Sequence, residues 1–409
     1  MTLSDVRISV VGGGPAGMMA AIKAVETLSS AGVENAGDRV VLYDKNDVLG
    51  RKIYLTGRGR CNLTNMRPWQ DFSQHVHPNR EFAKHAFHAF SNEDVVSFFE
   101  SSGVPSVVLQ GQRVFPASLK ASDVARALER KVHEYGIKVC TCAVDMAALE
   151  KMLDGGLVVL ATGGKSYPVT GSTGDGYLMA AGLGHTIMPL FPSETALLPR
   201  DYDRRLEGLE MKNVGLVLYV DKDAVQREEG DFLFTNDGIE SGIAYKISRR
   251  AVWAMMNGQK VEVALDLKPA LTIEKLSARV AREVAAAPGK ARMHAVLRTL
   301  MPEAMTGPFM DAMPGLSFGS LPAALKEWRL RIDSFKGYER AVVTAGGVSL
   351  KEVSPKTMES KTRPGLFLAG EVLDLDGDTG GYNLQLAFST GALAGCSAAR
   401  KLLTFFPAV

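Results

Sequence analysis

The chain has 409 residues, 46% of them apolar and 22% charged, with a formal net charge of +2. That length favours two domains, or one domain carrying a large insertion. The composition excludes a disordered chain, and the near-neutral balance lacks the footprint of a dedicated nucleic-acid binder, although a local basic patch can hide inside such a total. The four cysteines, Cys61, Cys140, Cys142 and Cys396, form no Cys-x-x-Cys pair. Cys140, Cys142 and Cys396 read as buried reduced thiols, and no metal site is expected. No run of 18 apolar residues offers a spanning helix, and the N-terminal segment lacks a basic region followed by a long apolar stretch. A cytoplasmic protein without membrane contact is expected.

In chain order, Arg7–Val11 (RISVV) is a short β-branched run ending in glycines, as a buried parallel strand would be. Residues 15–28 carry an apolar stripe (Met18, Met19, Ile22, Val25) and read as a helix. Arg39–Tyr43 (RVVLY) is a second buried strand, closed by Asp44. Residues 80–135 look helical and connective, with clear helical spacing over Asp123–Tyr135. Leu157–Leu160 is another strand, running into Ala161-Thr162-Gly163-Gly164. Near residue 190 the texture changes to clustered prolines, an alternating run at Val214–Val220, and helices at 272–286 and 290–300. The α/β texture returns with Ala341–Thr344, Leu366–Ala369 and a final small-residue helix from Asn383 to Lys401. The expected fold is α/β: a discontinuous Rossmann-like domain over residues 1–190 and 336–409, with residues 191–335 inserted.

Gly12-x-Gly14-x-x-Gly17 lies between the first strand and the first helix. The first glycine allows the turn, the second lets backbone approach a pyrophosphate, and the third lets helix pack on strand. Pro15 and Ala16 begin the helix, whose N-terminus attracts phosphate. Asp44, with Lys45 beside it, sits where an acid accepts hydrogen bonds from adenosine ribose hydroxyls. A purely structural glycine turn is the alternative, but strand, helix and terminal acid are all present. Later blocks turn the dinucleotide into FAD. Ala161-Thr162-Gly163-Gly164 ends a strand with small residues, Asp175 follows shortly after, and Gly370-Glu371 then Gly380-Gly381-Tyr382-Asn383-Leu384 open the last helix. A helix N-terminus aimed at the flavin N1–C2=O edge would stabilise the charge carried by reduced flavin. No second complete glycine fingerprint appears, so NAD(P)H is expected only as a transient electron donor.

Four further blocks strengthen the reading: Gly50-Arg51-Lys52 with Thr56-Gly57-Arg58-Gly59-Arg60-Cys61-Asn62; Ser172-Thr173-Gly174-Asp175-Gly176-Tyr177; Thr344-Ala345-Gly346-Gly347-Val348 with Thr357-Met358-Glu359-Ser360-Lys361; and Gly370-Glu371-Val372-Leu373-Asp374 through Thr379–Gln385. Together they resemble the BaiN-like (YhiN-like) FAD-dependent oxidoreductases over nearly the whole chain. The resemblance implies a two-dinucleotide-binding-domain flavoprotein with an inserted β-barrel and helical domain, and Phe232–Ile239 looks like the family block inside that insertion. Two departures are a shortened segment between Cys140 and Leu157, in place of a β-meander, and Arg58 where a small residue is common.

Arg51, Lys52, Arg58 and Arg60 form a dense cationic loop, expected to face pyrophosphate, reduced flavin or substrate; a solvated basic loop is the alternative. Given the resemblance, Arg60 and Asn62 are the expected catalytic contacts. Cys61, with its thiol pKa lowered by nearby arginines, and Tyr382, as a proton donor, are further candidates, each with a packing alternative. His75, His77, His85 and His88 read as surface residues, because no acid is placed near them in sequence. The resemblance supports reduction of a C=C bond conjugated to a carbonyl, in a small enone or a uracil of ribosomal RNA, with Arg204, Arg205, Arg249 and Arg250 as candidate RNA contacts. An amine or aminoketone oxidase and a non-catalytic flavin redox sensor are the competing readings.

Overall fold

A computed structural model describes residues 7–405 apart from 288, 290 and 291. The chain divides into two compact units, Met1–Phe191 with Val342–Val409, and Pro192–Ala341.

In the first unit, β1 (Arg7–Val11), β2 (Val40–Asp44), β3 (Lys138–Thr141), β4 (Gly156–Leu160) and β5 (Leu366–Leu368) form a parallel sheet in the order β5-β4-β1-β2-β3. β1 pairs with β2 through Val10↔Leu42 and with β4 through Val10↔Val159. β1, β2 and β4 are runs of Ile, Val and Leu buried along most of their length, because both faces are covered. Helices α1 (Pro15–Ser30), α2 (Ala121–Glu134) and α3 (Tyr382–Thr404) belong to this unit. α1 and α3 pack at backbone distance: a Cβ on Gly391 would fall 2.3 Å from the Ala16 carbonyl, and one on Gly395 2.1 Å from that of Ala20. The small-residue texture of the last helix therefore serves close packing. Strand order reverses between β1 and β4, and the carboxyl ends of those two strands open a crevice.

Several boundaries differ from expectation. Arg39 belongs to a 3-10 turn, Ala36–Arg39, so the second strand starts at Val40. The stretch 80–135 contains a β-hairpin, Ser106–Leu109 with Arg113–Pro116, whose first strand is too exposed to show an apolar period. The strand expected at 341–344 runs instead from Val343 to Val348, through its own glycines. In the short segment after β3, Asp145 caps a helix, Met146–Gly155, by accepting the Ala148 N–H at 2.8 Å.

The second unit contains a closed six-stranded barrel. Glu210–Val220, which includes the expected alternating run, pairs with Asp223–Thr235 and Val261–Asp266. Asp223–Thr235 is polar at most positions because most of its length faces solvent. Helices Gly242–Met256, Ile273–Ala286 and Arg292–Leu300 accompany the barrel. The expected helix start at residue 290 lies outside the described residues. No described helix is long and apolar enough to cross a membrane.

Candidate active site

A cleft of about 1490 Å³, counted out to its mouth, lies at the carboxyl ends of β1 and β4. Gly12 turns the chain with φ +108°, donating its N–H to the Tyr43 carbonyl at 2.8 Å. A Cβ at Gly17 would sit 1.8 Å from the Gly12 oxygen, whereas one at Gly14 would meet nothing within 4 Å. Gly14, the residue capping α1, thus presents bare backbone to the cleft. The Asp44 carboxylate lines the cleft but is partly committed: Oδ2 accepts the Gly13 N–H at 2.6 Å, and Oδ1 accepts from Asn46 N at 2.7 Å and Nδ2 at 2.9 Å. Lys45 crosses to Asp175 at 2.6 Å and to Thr173 Oγ1 at 2.7 Å, and its ammonium holds the Asp175 carboxyl below the usual range. Arg51 donates to Asn46 Oδ1 at 3.0 Å.

Further along the cleft, Glu371 gathers three segments. Its Oε1 accepts the Thr344 N–H at 2.7 Å and the Ser166 hydroxyl at 2.9 Å, while Oε2 accepts from Lys52 Nζ at 2.9 Å. Thr344 Oγ1 in turn accepts the N–H groups of Lys165 and Ser166. Pro15, Ala16, Thr56, Ala161, Thr162, Gly163, Gly370, Asn383 and Leu384 complete the part of the lining that the motifs had indicated. The sequence reading missed Asn46, Ile53, Val343, Leu375 and Thr390, which carry no motif of their own.

The other expected residues are not on the cleft wall. Gly17 packs α1 on β1, and a Cβ on Gly164 would press on Thr344 Oγ1 at 2.5 Å. Gly57 and Gly59 adopt positive φ in the turn Arg51–Gly59, as does Arg58. This turn leaves Arg58 and Arg60 exposed; the Arg60 guanidinium lies over the Phe115 ring at 5.4 Å. The Cys61 expectation is corrected: the thiol is fully buried, and desolvation pushes it up to about 12, with only the Thr56 hydrogen bond opposing. No arginine activates it. Tyr382 is also buried, and burial pushes its hydroxyl up to about 12 despite the Arg67 guanidinium and its hydrogen bond. It stacks on His75 with ring centroids 4.4 Å apart. Gly381 and Asn62 meet behind the wall: a Cβ on Gly381 would be 2.9 Å from Asn62 Oδ1. In the second unit Arg205 is held by Asp203 and Asp311, Arg204 reaches Glu207, and Arg250 donates to the Val225 carbonyl.

The reading of His75 and His77 as plain surface residues is overturned. Asp378, some 300 residues away, accepts from His75 Nδ1 at 2.8 Å and from His77 Nε2 at 2.9 Å. Burial opposes ionisation of this carboxyl, but the two imidazoles override it and hold the pKa down to about 2. The sign follows from linkage. A carboxyl depressed from about 3.9 contributes stability that is complete above that value and is lost as pH falls through about 2. Asp378→Asn is therefore expected to cost about 2 kcal/mol at neutral pH and almost nothing near pH 2, as read by denaturant titration at the two pH values. An equal cost at both would show that the ion pairs contribute nothing.

FAD fits these residues. Gly14 leaves backbone bare toward the cleft, and two buried oxygens, Thr162 Oγ1 on its wall and Asn62 Oδ1 beside the α3 N-terminus, lack a partner among the described residues. A ligand rich in both donors and acceptors suits such a surface.

Comparison with known proteins agrees. Residues 6–397 match the family described as HI0933-like protein Rossmann domain. The chain is 29% identical to a 3-dehydro-bile acid delta(4,6)-reductase of Clostridium scindens, covering 97% of this chain and 99% of that protein. It is 26% identical to a ribosomal RNA dihydrouridine synthase of Haemophilus influenzae, covering 96% and 98%. It is 29% identical to a protein of the same description in Escherichia coli K12, covering 93% and 95%. A solved quinol-fumarate reductase shares the fold, with TM-score 0.50 and 16% identity over 98% of this chain and 72% of that one. The chain belongs to the HI0933-like family and is an FAD-dependent oxidoreductase.

Proposed function

We propose that this protein is a cytoplasmic reductase that saturates a C=C bond conjugated to a carbonyl. The observation carrying this reading is the near-full-length match to relatives whose names describe one bond type. A 3-oxo-4,6-diene and a uracil both carry an alkene conjugated to C=O, and both relatives span this chain almost end to end. When bound, FAD supplies the hydride, and NAD(P)H reduces it by visiting transiently. The protein's own groups do the rest. Gly12, Gly14 and the α1 N-terminus hold the pyrophosphate. Asp44 offers its remaining lone pairs to the adenosine ribose. Lys52, orientated by Glu371, and the α3 N-terminus at Asn383 and Leu384 place positive potential at the flavin end. Arg60 and Asn62 follow the turn Arg51–Gly59, with Asn62 beside the α3 N-terminus, and would polarise the substrate carbonyl from beyond the residues that line the cleft.

The test is anaerobic. The flavin should bleach with NADPH or NADH and recover when an enone is added, with slow recovery in air. Bleaching by an amine with peroxide release would point to an oxidase and sink this reading. Unchanged dihydrouridine in ribosomal RNA of a deletion strain would remove the RNA alternative.

A further inference from the structure

We propose that the loop 167–174 is a strap across the cleft at its Asp44 end, latched to the opposite wall by Lys45 and Asn46. Opening of this latch sets the rate at which FAD enters and leaves, whichever substrate is reduced.

The strap joins segments that leave the sheet on either side of the glycine turn. β2 and β4 flank β1. Lys45 and Asn46 follow β2 directly, Thr170, Thr173 and Asp175 belong to the segment after β4, and all five line the cleft. Lys45 Nζ donates to Thr173 Oγ1 at 2.7 Å and to Asp175 Oδ2 at 2.6 Å, and Asn46 Nδ2 donates to the Thr170 carbonyl at 3.2 Å. Packing continues the contact: a Cβ on Gly171 would fall 2.6 Å from Asn46 Nδ2 and 3.3 Å from Lys45 Cε. On the β2 side Asn46 is itself fixed, by Asp44 Oδ1 at 2.9 Å and by Arg51 at 3.0 Å.

The loop is built to move as a piece. Its root is held on the β4 side, where Thr344 Oγ1 accepts the N–H groups of Lys165 and Ser166 and the Ser166 hydroxyl donates to Glu371. Its far end enters the helix Asp175–Gly182. Between these points the loop bonds to itself. The Thr170 N–H donates to the Tyr167 carbonyl at 2.8 Å, the Gly171 N–H to the Pro168 carbonyl at 2.9 Å, and the Thr173 N–H to the Gly171 carbonyl at 2.9 Å. Gly171 and Gly174, at φ +96° and +89°, supply turns that a Cβ would strain. The bonds from Lys45 and Asn46 can therefore break without undoing the loop's own.

The strength of the latch suits a gate. The side chains of Lys45 and Asp175 are 32% and 50% exposed. An ion pair so open to water is weak and is screened by salt. The Lys45 ammonium holds the Asp175 carboxyl below the usual range, so the pair stays charged at neutral pH. The strap is thus biased closed but opens on thermal motion, as active-site lids do. A cofactor kept behind it is reduced and reoxidised in place.

The test reads FAD exchange, not turnover. Release from the diluted holoprotein and uptake by the apoprotein are followed by flavin fluorescence. The salt is raised from about 10 mM to about 1 M, which shortens the Debye length from about 30 Å to about 3 Å. Wild-type release should speed up by about 3–30-fold. At low salt, Lys45→Met and Asp175→Asn should each speed both release and uptake by a similar factor. Both variants should leave the dissociation constant within about threefold and should lose the salt effect on release. The reversed pair, Lys45→Glu with Asp175→Lys, should return both rates toward wild type, which neither half does alone. Faster release with unchanged or slower uptake in Lys45→Met would make Lys45 a direct contact of FAD and overturn the gate. Wild-type release indifferent to salt overturns it too, with no variant having to fold. If the apoprotein takes up no FAD at all, the cofactor does not occupy this cleft, and the latch falls with it.

Discussion

Replacing Gly14 by valine is expected to give a folded protein that purifies without flavin. The backbone at this position has φ −75° and ψ −178°, an ordinary extended conformation that valine adopts without strain. Its Cβ would meet no protein atom within 4 Å, because it would point into the cleft. The cost therefore falls on the ligand. Displacing the pyrophosphate from the α1 N-terminus removes two or three hydrogen bonds to charged oxygens, each worth about 1.5–3 kcal/mol. FAD affinity should fall by about 10²–10⁶-fold. Gly17→Val is the contrasting change: its Cβ would lie 1.8 Å from a backbone oxygen, so the strand–helix junction itself must break. Flavin absorbance and circular dichroism of the two purified variants distinguish the outcomes. A yellow Gly14→Val protein with wild-type flavin content would move the pyrophosphate elsewhere.

The parts of this protein legible in its sequence are those where cause and effect lie close along the chain. β1, the glycine turn and α1 follow one another within about two dozen residues, and apolar continuity and glycine spacing announce them. The acid of the histidine cluster was invisible for the opposite reason. His75 and Asp378 are 303 positions apart, and nothing local to Ser73–His77 predicts a carboxylate. The partnership of Lys52 with Glu371 spans 319 positions and is hidden in the same way. Cys61 shows a different failure. Its arginine neighbours in sequence suggested a lowered thiol pKa, but positive φ at Gly57, Arg58 and Gly59 precedes a turn that leaves Arg58 and Arg60 exposed and Cys61 buried. Burial then decides the pKa, because desolvation acts on the thiolate while the exposed cations spend their field in water. Asp223–Thr235 escaped notice because strand periodicity needs one apolar face, and most of this strand has none.

Glu371→Leu is expected to loosen the flavin end of the first unit by about 2–4 kcal/mol, since a removed acceptor strands its donors. The carboxylate is the common partner of the Thr344 N–H, the Ser166 hydroxyl and the Lys52 ammonium. Leucine accepts from none of them. Lys52, with 21% of its side chain exposed, regains only part of its hydration when its partner is lost. The three donors come from the loop after β4, the strand Val343–Val348 and the turn Arg51–Gly59, so one substitution releases three segments that border the cleft. Glu371→Gln keeps a carbonyl oxygen for the Thr344 N–H and should cost less than half as much. Two compact units make a single two-state transition a poor measure, so the readout is the urea midpoint of flavin release. That midpoint should fall in the order wild type, Gln, Leu, with the barrel unit unfolding as before. A Leu variant that releases flavin with the wild-type midpoint would mean that the three segments are held by their own packing. In that case Glu371 would act only as the counter-charge of Lys52. Unlike Gly14→Val, which should empty an intact cleft, Glu371→Leu should leave the pyrophosphate cradle whole and weaken the wall at its other end.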